Sequence, residues 1–284
     1  MQIIRDVDAL RRAVAALRRA GGNGGGTVAL VPTMGALHGG HLALVREGKR
    51  AADHLVVSIF VNPTQFGPNE DLGLYPRREA ADAEMLEREG CAILWAPGAG
   101  TMYADGHATS INVSGVSEGL DGAARPGHFA GVATVVTKLF NQVRPDVALF
   151  GEKDYQQLAV IRRLTADLDL GVRIIGVPTQ RDVDGLALSS RNAYLSKEER
   201  MAARALPRAL VEAAQAIRDG GEVAATLAQV RQTLAAAGFG PIDYVELCDP
   251  VTLRPMNVLN GPARLFAAAK LGKTRLIDNL AVTS

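Results

Sequence analysis

The chain has 284 residues, of which 48% are hydrophobic, 21% charged and 5% aromatic. At roughly 150 residues per domain this length suggests two domains, and the composition excludes a disordered, collagen-like or coiled-coil chain. The formal net charge is +1, so no global field favours nucleic acid or an anionic membrane, and we expect neither as a partner.

Cysteine content and the length of apolar runs indicate the compartment. Cys91 and Cys248 are the only cysteines, and their spacing fits neither a disulfide framework nor a zinc ribbon. The longest apolar stretch, residues 55–61, is far shorter than the roughly 20 residues that a membrane helix needs. We therefore expect a cytoplasmic protein.

Strands and helices alternate in the first part of the chain. After a predicted helix within residues 1–20, the pattern predicts elements at 27–31, 41–52, 54–61, 77–89, 91–95, 132–143, 146–150, 155–168 and 172–177. Repeated βα alternation with strands rich in Val, Ile and Leu predicts a parallel sheet that helices cover on both faces.

The pattern changes near residue 184. Helices are predicted at 196–218 and 222–237, and strands at 242–247, 263–269 and 274–279. A hairpin turn at Leu271, Gly272 and Lys273 explains the Gly-Lys-Thr sequence better than a phosphate loop, because Ala267 stands where that motif needs glycine. These features predict an α/β domain with a parallel sheet over 1–183 and a separate α+β domain over 184–284.

Residues 34–41 lie between a predicted strand and a helix, where α/β proteins bind ligands and anions. His38 and His41 are three residues apart, so on a helical turn both would point the same way and could donate hydrogen bonds to a phosphate. Gly39 and Gly40 would let a polyphosphate approach the backbone. Taken alone, this spacing is more typical of a histidine pair on a surface turn, and no cluster completes a zinc site.

Asn62 and Gln65 follow the next predicted strand and are expected to face the same crevice. An amide both donates and accepts hydrogen bonds, which suits a substrate with hydroxyls and a carboxylate. A turn capped by Asn-Pro explains the same residues equally well. The basic turn at residues 125–129 is better explained as a plain turn before a helix.

Two further motifs are candidates for phosphate contacts. Lys153 follows a predicted strand in a chain that otherwise prefers arginine, and Glu152 or Asp154 could serve a metal–nucleotide complex or simply cap the helix. Near the predicted domain boundary, two serines and an arginine at residues 189–191 could clamp a polyphosphate, although an ordinary loop accounts for them equally.

The order of these motifs resembles that of the pantothenate synthetase (pantoate–β-alanine ligase) family. The resemblance rests on the segments VPTMGALHGGH, SIFVNPTQF, YPR, RPGHF, VVTKLFN, FGEKDYQQL and DGLALSSRNAYLS. It implies a nucleotidyltransferase-type Rossmann domain, a smaller C-terminal lid domain, a homodimer and Mg²⁺-dependent use of ATP. The implied reaction joins (R)-pantoate to β-alanine through pantoyl-adenylate and yields pantothenate, AMP and pyrophosphate.

The resemblance also implies roles for individual residues. The implied ATP-binding residues are Met34, Gly35, Ala36, Leu37, His38, Gly39, Gly40, His41, Gly151, Glu152, Lys153, Asp154, Gln180, Leu188, Ser189, Ser190 and Arg191. Of these, the implied catalytic residues are His41, His38, Lys153, Ser189, Ser190 and Arg191. Pantoate would bind Gln65, Gln157 and Asn62, and β-alanine would bind Gln65, whereas Mg²⁺ is expected with ATP and has no direct ligand motif.

The sequence departs from the family pattern at three positions. Gln180 stands where the family usually has valine, Leu188 where it has methionine, and Gly39 at a position that is often acidic. These changes concern only fine nucleotide contacts. Two other functions remain open: a nucleotidyltransferase that forms no amide, and a nucleotide sensor without catalysis.

Overall fold

A computed structural model describes residues 1–20, 25–68 and 70–283. The elements up to residue 178 are β1 (Gln2–Ile4), α1 (Val7–Ala20), β2 (Val28–Thr33), α2 (Gly39–Ala51), β3 (His54–Ile59), α3 (Glu79–Arg88), β4 (Ile93–Trp95), α4 (Ala99–Met102), α5 (Asp121–Ala124), α6 (His128–Val143), β5 (Val147–Gly151), α7 (Tyr155–Asp167) and β6 (Arg173–Val177). The remaining elements are α8 (Lys197–Ala202), α9 (Ala205–Arg218), α10 (Val223–Ala236), β7 (Phe239–Cys248), β8 (Ala263–Leu271) and β9 (Thr274–Val282).

Backbone contacts divide the chain into two compact units. Unit 1 comprises Met1–Ser114, Arg125–Glu152 and Gln157–Pro178, and unit 2 comprises Gly115–Ala124, Lys153–Gln156 and Thr179–Ser284. The last segment of unit 2 thus begins at Thr179, and the domain boundary between residues 183 and 184 stays a prediction.

Unit 1 is built on a parallel sheet with the strand order β1-β4-β3-β2-β5-β6. The central strands are buried on both faces, and Val28, Leu30 and Val31 of β2 have no exposed surface. Such continuous apolar strands need helices on both sides, as the sequence predicts. The α/β class and the parallel sheet are confirmed.

Strand β1 is the element of this sheet that the sequence analysis did not predict. It has only three residues, and Gln2 pairs with Ile93 of β4 across about ninety positions of sequence. A three-residue strand contains too little hydrophobic alternation to give a local signal, because distant pairing stabilises it.

The helix predicted over 196–218 is wrong in one respect, because it consists of two helices, α8 and α9. Pro207 lies in the first turn of α9, where its missing N–H cannot bond to the carbonyl of Ala203. The break therefore falls just before it. Over the described ranges, no helix is both long and apolar enough to cross a membrane.

Unit 2 contains an antiparallel sheet with the order β7-β8-β9. Helices α9 and α10 contribute Leu206, Leu210 and Leu234 to one apolar core with Leu265 of β8. Leu271 pairs with Thr274, so the Gly-Lys-Thr sequence closes a β-hairpin, which confirms the predicted turn. The α+β class predicted for this part of the chain is also confirmed.

Candidate active site

The carboxyl ends of three neighbouring strands define the candidate site in unit 1. Chain order reverses between the adjacent strands β2 and β5, and open α/β sheets bind ligands beyond the strand ends at such a switch point. Residues 34–41 follow β2, Asn62 follows β3, and Gly151 and Glu152 stand at the end of β5. Three of the predicted motifs therefore lie at this edge of the sheet.

The 34–41 turn has an unusual backbone that buried groups hold in place. Gly35 and Ala36 both have positive φ angles, of 85° and 50°, and this conformation strains a residue with a side chain. The Thr33 hydroxyl accepts the N–H of Gly35 at 3.2 Å and donates to the Ser58 carbonyl at 2.8 Å. Asp82 of α3 accepts the N–H groups of the next two residues, Ala36 and Leu37, at 2.8 and 2.9 Å.

His38 and His41 cap the start of α2 reciprocally. The Nδ1 atom of His38 accepts the N–H of Gly40 at 3.1 Å, and the Nδ1 atom of His41 accepts the N–H of His38 at 3.3 Å. Their ring centroids are 4.1 Å apart, which confirms that the two side chains point the same way. Because both Nδ1 atoms accept, the ring proton of each histidine is on Nε2. Both imidazoles are therefore arranged as neutral Nε2–H donors.

The Gln65 side chain links the turn after β2 to the turn after β3. Its Nε2 atom lies 3.3 Å from the Met34 sulfur, and its Oε1 atom accepts a hydrogen bond from Asn62 at 3.1 Å. The structure thus brings together the two motifs that the sequence placed at one crevice.

Asn62 is 1% exposed and is bonded to several protein groups. Its Nδ2 atom donates to Gln65 and to the Gly131 carbonyl, while its Oδ1 atom accepts from the Tyr103 hydroxyl at 2.7 Å and the Thr64 hydroxyl at 2.9 Å. Burial raises the pKa of Tyr103, so its hydroxyl stays protonated and donates at neutral pH. These bonds hold the Asn62 amide in one orientation.

Sequence reasoning missed Tyr103 and Gly131. A side chain at Gly131 would place its Cβ 2.4 Å from the Thr64 carbonyl oxygen, so glycine is required for the close approach of α6 to this turn. Both residues are distant from Asn62 in the sequence, and no local pattern reveals them.

Arg125 and His128 lie against the same turn, although the sequence analysis favours a plain turn there. The Arg125 guanidinium binds both carboxylate oxygens of Glu70, at 2.7 and 2.6 Å, and His128 Nδ1 lies 2.8 Å from the Gln65 carbonyl. Burial alone would raise the pKa of Glu70, but the hydrogen bonds and charge of Arg125 outweigh it and lower that pKa. The pair is therefore ionised at neutral pH.

The predicted site residues that follow β5 are divided between the two units. Gln157 is half-buried on α7 in unit 1. Lys153 and Asp154 belong to unit 2, with the Lys153 ammonium 3.6 Å from the Asp154 carboxylate and its side chain 19% exposed. The Asn279 amide donates to the Lys153 carbonyl at 2.8 Å, and this hydrogen bond holds the main chain at Lys153 in place.

In unit 2, the 180–191 segment folds back on itself. Leu188 donates its N–H to the Gln180 carbonyl at 2.9 Å, so two of the predicted ATP contacts are backbone partners. Arg181 forms two hydrogen bonds, at 2.7 and 2.8 Å, with the buried carboxylate of Asp278. Beyond this hairpin, Ser189 caps a short 3-10 helix that contains Ser190 and Arg191.

Asp184 anchors the base of this segment. Its carboxylate binds the guanidinium groups of Arg200 and Arg204, and its side chain is 15% exposed. The hydrogen bonds from Arg200 are the main reason that the pKa of Asp184 falls to about 2. The anchor is therefore charged at every physiological pH.

The acidic residues present are compatible with a cation that arrives on a polyphosphate. Within the described residues, no three His, Cys, Asp or Glu side chains form a metal-binding group. Mg²⁺ commonly takes one or two protein carboxylates and fills its remaining positions with phosphate oxygens and water. The carboxylates of Glu152 and Asp154, beside Lys153, are oxygen ligands of that kind.

Known proteins match the chain along nearly its whole length. Residues 2–281 match the family model described as Pantoate-beta-alanine ligase. A pantothenate synthetase of Rhizorhabdus wittichii is 68% identical over 282 residues, which are 99% of each chain.

Solved structures agree with these sequence matches. The crystal structure of pantothenate synthetase from Thermus thermophilus has a TM-score of 0.93 at 46% identity and covers 100% of both chains. Pantoate-beta-alanine ligase from Francisella tularensis, in complex with beta-gamma ATP and beta-alanine, has a TM-score of 0.82 at 33% identity and covers 99% of this chain and 97% of its own.

Proposed function

This chain belongs to the pantoate–beta-alanine ligase family, and we propose that the carboxyl edge of its unit 1 sheet is part of the active site. The enzyme condenses (R)-pantoate with β-alanine, using ATP as a substrate, and forms pantothenate, AMP and pyrophosphate through pantoyl-adenylate. The observation that carries the site assignment is the pair of imidazoles fixed as Nε2–H donors at the switch point of the sheet.

The first step needs charge stabilisation and no general base. The pantoate carboxylate is ionised at neutral pH, and one of its oxygens attacks the α-phosphorus of ATP while pyrophosphate leaves with the bonding electrons. Negative charge grows on the phosphate oxygens during this transfer. The Nε2–H groups of His38 and His41 are donors whose orientation is set before the reaction, and such donors stabilise charge without reorganising.

For unit 1, the proposed ATP contacts are Met34, Gly35, Ala36, Leu37, His38, Gly39, Gly40, His41, Gly151 and Glu152. The start of α2 at Gly39 supports this proposal, because the first turn of this helix has no acidic residue and the positive end of the helix dipole favours an anion. The left-handed backbone at Gly35 and Ala36 leads the chain from β2 into this helix start.

For unit 2, the proposed ATP contacts are Lys153, Asp154, Gln180, Leu188, Ser189, Ser190 and Arg191. Among them, Lys153, Ser189, Ser190 and Arg191 have the catalytic role of binding phosphate. The compact ammonium of Lys153 and the guanidinium of Arg191 suit phosphate oxygens, and the hydroxyls of the two serines add donors.

Gln65, Gln157 and Asn62 are the proposed pantoate residues, and Gln65 also contacts β-alanine. Gln65 supports the proposal best, because Asn62 and Met34 hold its amide in place and leave it half-buried. The buried Asn62 would contribute chiefly by orienting Gln65. In the second step the β-alanine amine attacks the acyl carbon, AMP leaves, and the nitrogen loses a proton.

Three expectations accompany this function. Mg²⁺ would be held by ATP phosphate oxygens together with Glu152 or Asp154, and it would neutralise phosphate charge. A cytoplasmic location is supported by two free, buried cysteines, as expected in a reducing compartment. A homodimer is supported by the family resemblance, and sedimentation equilibrium tests it.

Pantoate-dependent exchange of labelled pyrophosphate into ATP, without β-alanine, tests the adenylate route. We expect rapid exchange with pantoate and none without it, and AMP release only when β-alanine is added. Exchange without later amide formation would favour a nucleotidyltransferase. ATP binding without any exchange would favour a sensor and contradict the proposed reaction.

A further inference from the structure

Asp82 on α3 contacts no substrate in the proposed function, yet it lies directly behind the 34–41 turn. The residue is 1% exposed, and its two carboxylate oxygens accept the N–H groups of Ala36 and Leu37 at 2.8 and 2.9 Å. A buried carboxylate is costly unless hydrogen bonds satisfy it, so this pair of bonds is a specific arrangement.

The turn needs such a partner because its backbone is strained. Ala36 has a φ angle of 50°, which residues with a side chain rarely adopt, and Gly35 before it has a φ angle of 85°. Successive left-handed residues direct neighbouring N–H groups to one side, where a single carboxylate can bind both. The bonds to Asp82 stabilise this conformation against an ordinary extended loop.

The position of the turn determines the position of the histidines. Leu37 is bonded to Asp82 and directly precedes His38, whose imidazole caps α2 and whose N–H in turn orients the His41 ring. We propose that Asp82 is a positioning residue for adenylation, which acts through the 35–37 backbone to align the imidazoles of His38 and His41.

This inference rests on the proposed function, since it assumes that both imidazoles contact ATP. Asp82 itself reaches no substrate in the proposal. Its loss should therefore lower kcat more than it raises the KM for ATP, because misalignment affects the transition state most.

Asp82→Asn is the informative variant, because it keeps the side-chain shape and replaces one acceptor by an N–H donor. That donor would face a backbone N–H of Ala36 or Leu37, and one of these groups would lose its partner. We expect kcat for pantoate-dependent exchange to fall about 10²-fold, with less than about a threefold change in the KM for ATP.

Asp146→Asn is the matched control. Asp146 also accepts a backbone N–H of a β2 residue, that of Val28 at 2.7 Å, but it does so at the amino end of the strand. The Asp146→Asn variant should have a lower melting temperature than the wild-type protein and an unchanged kcat. If Asp82→Asn behaves like this control, Asp82 is merely structural and the proposal is overturned.

The ¹⁵N signals of the imidazoles provide a readout that is independent of activity. The wild-type protein should show His38 and His41 as single Nε2–H tautomers, and Asp82→Asn should show tautomer exchange or broadening at both. Unchanged imidazole signals in a folded Asp82→Asn variant would contradict the proposal. If wild-type protein shows no exchange activity at all, the proposed function fails, and these signals alone decide whether Asp82 aligns the histidines.

Discussion

The 34–41 turn of unit 1 and the 180–191 segment of unit 2 both contain proposed ATP contacts, but they are stabilised at different points. In the turn, the proposed functional residues themselves form the stabilising hydrogen bonds, since the imidazoles of His38 and His41 cap the start of α2. In the segment, Arg181 and Asp184 form ion pairs with largely buried partners or side chains, and both lie several residues before Ser189.

This difference separates two ways of presenting donors to a polyphosphate. A donor fixed at the reacting atoms stabilises developing charge without reorganisation, so its loss should affect the rate most. A donor on a short, half-exposed 3-10 helix that follows its ion-paired base can adjust to the substrate. Substitutions at the turn should therefore slow chemistry, and those at the base of the segment should chiefly lower stability.

The largest effect is expected for His41→Ala. This variant removes one Nε2–H donor and the acceptor of the His38 N–H, so we expect pantoate-dependent exchange to fall by about 10³-fold. Circular dichroism should remain that of the folded protein. His54→Ala is the control, because His54 begins β3 at the opposite edge of the same sheet. A near-normal rate for His41→Ala would show that the turn is not part of the catalytic machinery.

Lys153→Ala should have the next largest effect. Its ammonium is a compact charge on a hydrogen-bonded main chain, so its loss should lower kcat about 10²-fold and raise the KM for ATP as well. Lys153→Arg should recover little activity, since a planar guanidinium cannot replace a compact ammonium. Lys197→Ala, at the exposed start of α8, should leave both constants unchanged. An equal loss of kcat in Lys197→Ala would indicate that removal of any positive charge, and not the position of Lys153, slows the reaction.

The sequence predicts the sheet better than the contacts that stabilise the site. Continuous apolar strands and helical spacing are local patterns, so the parallel sheet of unit 1 and the antiparallel sheet of unit 2 follow from them. The break before α9 was also present in the sequence, at Pro207, but a strong helical pattern on both sides concealed it.

Motif position and resemblance identified the proposed ligand contacts, and missed the residues behind them. His38, His41 and Gln65 follow strand ends, where ligand sites are expected. Asp82 and Tyr103 reach this edge only through tertiary contacts, at 46 and 41 positions from their partners Ala36 and Asn62. An aspartate in a predicted surface helix has no local feature that distinguishes it from a solvated one.

Asp184→Asn tests the base of the 180–191 segment and should have a moderate effect on stability. The pKa of Asp184 is lowered to about 2, so its ion pairs stabilise the folded state by up to about 2 kcal/mol. Because the pKa is lowered in the folded state, the contribution of these ion pairs to the free energy of unfolding is complete above about pH 4 and is lost as pH falls toward 2. The melting temperature of the variant should thus be lower by several degrees at pH 7, and the gap should narrow between pH 4 and pH 2.

The control for this prediction is Asp219→Asn, because Asp219 is exposed and accepts a hydrogen bond from a neutral glutamine. It should show no such pH-dependent gap. A gap that stays constant down to pH 2 would mean that packing, not charge, stabilises the base of the segment.

The smallest effect is expected in the reactivity of the two thiols, one in each unit. Burial raises the pKa of Cys91 to about 11 and that of Cys248 to about 12, so at pH 8 about one thiol in 10³ or fewer is a thiolate. Both should react slowly with a disulfide reagent in native protein.

Comparison of the two thiols then tests whether the regions are stabilised independently. Leu186, two residues after Asp184, packs in the same apolar core as Leu247, the neighbour of Cys248. Asp184→Asn should therefore speed modification of Cys248 several-fold, because loosening the segment exposes this core more often, and should leave Cys91 unchanged. Labelling followed by mass spectrometry of the two peptides measures both rates. Equal acceleration at Cys91 would show that the anchor at Asp184 stabilises the whole chain, and the contrast between the turn and the segment would then be lost.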